Sequence, residues 1–124
     1  MYVPFSPTSN TVKNITVTST SVFYPFPNDG DANKPNNESG SQVILINLGT
    51  TEVYYALGDT TATAVEPSWD GTNGTHVLPA NSRIILTIPS GNLFPTGVRG
   101  IAFVRASAGS DQRVSFELGN GGLT

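Results

Sequence analysis

Cysteine is absent from the 124 residues of this chain, which excludes a disulfide framework and any thiolate metal site. Charge is scarce as well. Asp, Glu, Lys and Arg together make up 12% of the sequence, roughly half the share usual in soluble domains. The six basic residues, Lys13, Lys34, Arg83, Arg99, Arg105 and Arg113, are scattered, and the net charge is -3. Without a basic stripe to neutralise phosphates, nucleic acid is not an expected partner. Long hydrophobic runs are missing too. Runs such as Val43-Ile-Leu-Ile46 are far short of a bilayer span, so no membrane partner is expected. Residues 1–7 carry neither the positive nor the apolar region of a secretory signal. The sequons at Asn14, Asn37 and Asn73 are therefore read as products of an Asn- and Thr-rich composition rather than as glycan sites. No window keeps an i, i+3, i+4, i+7 apolar pattern with a capping signal, so no helix is expected.

What the chain does hold is β signal. Ser82–Ile88 alternates Ile84, Leu86 and Ile88 against Arg83, Ile85 and Thr87. Residues 112–118 alternate Val114, Phe116 and Leu118 against Arg113, Ser115 and Glu117, and 100–105 does the same around Ile101 and Phe103. Thr11–Ser21 reads as a Thr/Val/Ile strand, and Thr75–Leu78 as a weak one. Gln42–Asn47 suits a strand buried on both faces. Glu52–Leu57 follows after Leu48-Gly-Thr-Thr, a link short enough for a hairpin. About seven to eight antiparallel strands punctuated by Gly, Pro and Asn predict an all-β single domain, a β-sandwich or jelly roll, over 11–124. Two segments depart from the pattern. Residues 1–10, with Pro4 and Pro7, predict an extended N-terminal arm without a strand partner. Residues 25–41 form a long polar loop.

Candidate chemistry is thin. Asp29, Asp31 and Asn33 open like a calcium loop, but the sixth and twelfth positions hold Lys34 and Gly40 where Gly and Glu are required, so no metal is expected. The single histidine, His76, has no nucleophile singled out around it. Glu52, Glu66 and Glu117 could supply a glycosidase-like carboxylate pair, yet strand-end carboxylates are ordinarily solvated. The expectation is no catalytic residue, no cofactor and no enzyme. Aromatics give a different lead. Phe23-Tyr24-Pro25-Phe26-Pro27, with Tyr2 and Phe5, exceed what a domain this small comfortably buries. Tyr2, Val3, Phe5, Phe23, Tyr24, Phe26 and Trp69 are therefore the expected subunit or partner contacts.

One ordered string of short motifs runs through the rest: Asn47-Leu-Gly-Thr, Val53-Tyr-Tyr-Ala-Leu-Gly-Asp, Thr63-Ala, Leu78-Pro-Ala-Asn-Ser, Ile88-Pro, Gly100-Ile-Ala-Phe-Val and Val114-Ser-Phe-Glu-Leu-Gly-Asn-Gly. In this order, over about 43–122, the chain resembles small virion-associated structural proteins of tailed bacteriophages. It departs from them at Asn81, where their turn usually carries Gly. The resemblance implies a head decoration, or cement, protein that binds the outer surface of the assembled capsid and stabilises it. The implied partners are the major capsid protein and further copies of the chain, as a homotrimer on local three-fold axes. The implied location is the capsid exterior after synthesis in the host cytoplasm, with no catalysis. A fibre domain that binds a receptor or carbohydrate through Trp69, Tyr54 and Tyr55 is the alternative.

Overall fold

The computed structural model describes residues 2–7, 12–26, 42–67, 74–88 and 99–123, with side chains described over 12–26, 42–67, 74–88 and 99–119. The polar loop from 27 onward, with its calcium-like opening, and Trp69 lie outside the described residues. Among those described, nine strands form and no helix: β1 Tyr2–Pro7, β2 Lys13–Val17, β3 Val22–Pro25, β4 Gln42–Asn47, β5 Val53–Gly58, β6 His76–Leu78, β7 Arg83–Thr87, β8 Gly100–Arg105 and β9 Gln112–Leu123. They make two antiparallel sheets. One runs β1-β9-β4-β7, with β2 also on β9; the other runs β3-β8-β5-β6. The pairings are nested in sequence, β5 with β6, β4 with β7, β3 with β8 and β2 with β9, as though one long hairpin had been folded over. That is jelly-roll order. The expected all-β sandwich is therefore the observed fold.

Period-2 alternation sets the faces. Val43, Leu45, Val114, Phe116 and Leu118 from the first sheet meet Val53, Tyr55, Leu78, Ile101 and Phe103 from the second, and all are buried. Phe116 sits at the centre, its ring 5.9 Å from Phe26 and 6.3 Å from Phe103. The outer face of the second sheet is apolar as well. Tyr54, Ala102 and Val104 are covered there by Ala62 and Ala64 of the segment that follows β5. The Ala64 amide donates to Ser21 Oγ at 2.9 Å and the Ala62 amide to the Asp59 carbonyl at 2.9 Å, which straps this segment over the sheet. Small side chains along β8 let the strap lie close.

Three expectations are corrected. β4 and β5 do not form a hairpin: β4 pairs with β7 and β9, whereas β5 pairs with β6 and β8. The 48–51 link is a corner between sheets, because polar side chains at its base replace the ladder bonds of a hairpin. The strand expected over 11–21 ends at Val17, and after Thr18–Ser21 the chain re-enters the other sheet as β3. The N-terminal segment is not without a partner. Its backbone runs as β1 along β9, Tyr2 opposite Leu123 and Pro7 opposite Gly119, with an irregularity between Val3 and Ser6. Pro4 and Pro7 are tolerated there because β1 is an edge strand.

Candidate functional site

Three corners gather at one end of the sandwich: 48–52 between β4 and β5, 79–82 between β6 and β7, and 106–111 between β8 and β9. Two buried amides hold them. Asn47 closes the apolar run of β4; its Nδ2 donates to the carbonyls of Thr51 (2.9 Å) and Leu78 (3.2 Å), and its Oδ1 accepts from the Gly49 amide (2.8 Å). Gln112 opens β9; its Oε1 accepts from the amides of Thr50 (2.8 Å) and Thr51 (3.2 Å), and its Nε2 donates to the Ser110 carbonyl (2.7 Å). Each amide thus satisfies backbone groups that a corner strips from the ladders. The 79–82 turn is tied in by the Asn81 amide, which donates to the Gly49 carbonyl at 3.3 Å. Asn81 has φ 51°, in the left-handed region where Gly and Asn are the favoured residues. Arg105 stiffens the third corner. Its Nε meets Asp111 Oδ1 at 2.8 Å and its Nη1 donates to the Ala106 carbonyl at 2.8 Å.

Between these corners lies a groove of about 470 Å³, lined by Thr50, Thr51, Glu52, Pro79, Ala80, Ala106, Ala108 and Gly109. Glu52 is its one carboxylate among these. That acid is engaged, since the Tyr54 hydroxyl donates to Glu52 Oε1 at 2.9 Å. Glu66 accepts from the Ser107 amide at 3.0 Å. Glu117 is in register with Ile44 on the outer face of the other sheet, so the three glutamates do not converge. His76 stacks on Tyr55 with ring centres 5.4 Å apart. Among the described residues no group of three His, Cys, Asp or Glu could hold a metal ion.

Tyr54 carries the largest electrostatic perturbation described. Burial comes first, then the hydrogen bond and charge of Glu52 and the charge of Glu66, and together they push its phenol up to about 12. A folded pKa raised above the unfolded value near 10 favours the neutral phenol in the fold. The resulting stability is complete below pH 10 and is lost as pH rises from 10 towards 12. Alkaline unfolding should therefore steepen above pH 10. Tyr54→Phe should flatten that limb while costing about 1 kcal/mol at neutral pH for the lost hydrogen bond. Tyr24 and Tyr55, both raised by burial, keep some slope in the variant. Denaturation midpoints at a series of pH values measure this, and an unchanged alkaline limb in Tyr54→Phe would contradict it.

The expected contact residues separate. Phe26 is a correction: it is buried in the core against Phe116 and cannot meet another chain. Tyr24 points inward, half-buried, its ring 6.3 Å from Phe103. Phe23 lies half-buried on the other face of β3, in register with Ala102. It fills the space beside Gly100, where an added Cβ would strike the Phe23 ring and the Tyr24 carbonyl. Phe23 lies on the flank of β3 with exposed Val22 and Pro25. The Tyr2, Val3 and Phe5 side chains lie outside the described residues. Tyr54 and Tyr55 are 5% and 6% exposed, so neither offers a ring face to a sugar. Sequence reasoning missed Asn47, Gln112 and Arg99. The first two had a signal, a lone amide at the junction of an apolar strand and a Gly or Asp turn. Arg99, 1% exposed at the entrance to β8, had none. No protein-family model matches this chain, and no curated protein matches it.

Proposed function

We infer that this protein is a structural component of a tailed-bacteriophage virion, a capsid decoration protein that binds the outside of the assembled head as a homotrimer and stabilises it through contact with the major capsid protein. The observation that carries the reading is where the phage-like motifs fall. Asn47-Leu-Gly begins the clamped corner, Val53–Asp59 is β5 and its exit, Leu78–Ser82 is the left-handed turn, and the last two motifs are β8 and β9. Five of the seven motifs thus fall on strands and the corners that join them, and Thr63-Ala falls in the segment that covers the second sheet. Jelly rolls recur in viral capsid and lectin domains, which agrees with the reading without deciding it. The partner surface in this proposal is the β3 flank, with Phe23 and exposed Val22 and Pro25. Binding only the assembled shell stabilises the shell by mass action. Quantitative gel densitometry of purified virions tests the proposal. Decoration predicts a copy number comparable to that of the major capsid protein and a particle that loses heat resistance when this chain is stripped. A few copies per particle, with heat resistance unchanged, would assign the chain to a fibre or tail instead.

A further inference from the structure

Among the described residues nothing pairs with the outer edge of β7, the last strand of the five-stranded sheet. Exposed edges of this kind are normally blunted by charge, proline or a bulge. β7 has only Arg83 at its start, and Ile85 at its middle is 45% exposed.

The ladder on the inner side fixes what the outer side offers. The Asn47 amide donates to the Ser82 carbonyl, so in an antiparallel pair the bonded couples are Asn47/Ser82, Leu45/Ile84 and Val43/Leu86. The Leu48 amide donating to the Arg113 carbonyl requires the same parity from the β9 side of β4. The N–H and C=O groups of Arg83, Ile85 and Thr87 therefore point away from the sheet.

We propose that β7 is a docking edge for β7 of a second copy of this chain, paired antiparallel about a two-fold axis through Ile85. The strand reads polar, Ile, Ile, Leu, polar, and is self-complementary about that residue. Arg83 then faces Thr87 of the other copy, Ile84 faces Leu86, and Ile85 faces Ile85. All three outward-pointing residues on each strand find partners. Neighbouring registers do worse: centring on Ile84 sets each Arg83 against the apolar Ile85 of the other copy instead of against Thr87. Centring on Arg83 sets two guanidinium groups against each other. Centring on 86 or 87 brings Pro89, which has no N–H, into the ladder. Both faces gain from the central register. On the outer face Ile44 and Ile85 continue into their two-fold mates. On the inner face Ile84 and Leu86, half-buried at the open rim of the sandwich, are covered. The contact is small and belongs to the weak class of interfaces. It does not rest on the capsid reading.

Because the chain has no cysteine, a single introduced thiol can link only to the same thiol of another copy, by contact or by chance collision. Opposed Cα atoms in a bonded antiparallel pair are about 5.5 Å apart, within the span of a disulfide of about 4.4–6.8 Å. Under mild oxidation of the full chain, Ile85→Cys should form a linked pair roughly tenfold faster than Thr16→Cys, an exposed site on the outer face of β2, because the contact raises the effective thiol concentration. Arg83→Cys and Thr87→Cys should each link poorly alone and readily when mixed. Ile85→Lys, with an unchanged circular dichroism spectrum, should remove the even-numbered species, dimers or paired trimers, from the sedimentation profile. Linking of Ile85→Cys no faster than of Thr16→Cys, or no preference for the mixed 83/87 pair, overturns the proposal. So does association that survives Ile85→Lys with no even-numbered species lost.

Discussion

Replacing Phe116 by Ala is expected to cost about 3–5 kcal/mol, enough to unfold a large part of a marginally stable domain. The reason is position rather than size alone. Phe116 is fully buried on a strand of the first sheet and packs across onto the second through Phe103 of β8 and Phe26 at the end of β3. Its strand is also the one on which β1, β2 and β4 all pair. A void there removes contacts from both layers at once. Phe116→Leu keeps most of the volume and should lose clearly less. Urea unfolding of the two variants checks this. A loss below about 1 kcal/mol for Phe116→Ala would mean that the layers relax together, which close-packed interiors seldom do.

The second large effect is expected at Asn47. Asn47→Ala removes three hydrogen bonds from a residue 1% exposed. It leaves the Leu78 and Thr51 carbonyls and the Gly49 amide without their partner. A destabilisation of about 2–4 kcal/mol follows from the asymmetry between a modest bond and a costly orphan. The loss should be local as well as global. Hydrogen exchange at the Gly49 amide should accelerate before the β4 ladder opens, because the corner is held by side chains and the strand by backbone. Equal protection of Gly49 in the variant and the parent would contradict this account of the corner.

Much of the architecture was legible because it depends on period 2. Residues 83–87 of the 82–88 run, 100–105 and 112–118 are strands with the faces their alternation predicts. The apolar run at 43–46 is buried on both faces, apart from partly exposed Ile46. What escaped was decided by pairing at long range. Leu48-Gly-Thr-Thr has a hairpin's length, and nothing local says that β4 will choose β7 and β9 over β5. The N-terminal segment likewise shows no alternation of its own, and its pairing with β9 depends on residues more than a hundred positions away. The aromatic cluster misled for a related reason. Composition counts rings, whereas Phe26 is withdrawn into the core by Phe116 on a distant strand. The buried amides of the corners were half legible, since a polar residue closing an apolar strand must find partners or be costly to bury.

Nested pairing also orders events in time. β9 is the last strand in sequence, and it holds β1, β2 and β4 in the larger sheet. During synthesis the smaller sheet can assemble once β8 has left the ribosome. The larger one must wait for β9. Until then the inner face of the smaller sheet, with Val53, Tyr55, Ile101 and Phe103, has only β4 and β7 to cover it. The nascent chain therefore passes through an interval with half a core exposed, and contacts of such long range form slowly. Stalling translation short of residue 112 would prolong that interval, and a chaperone that recognises apolar strands would find its client there.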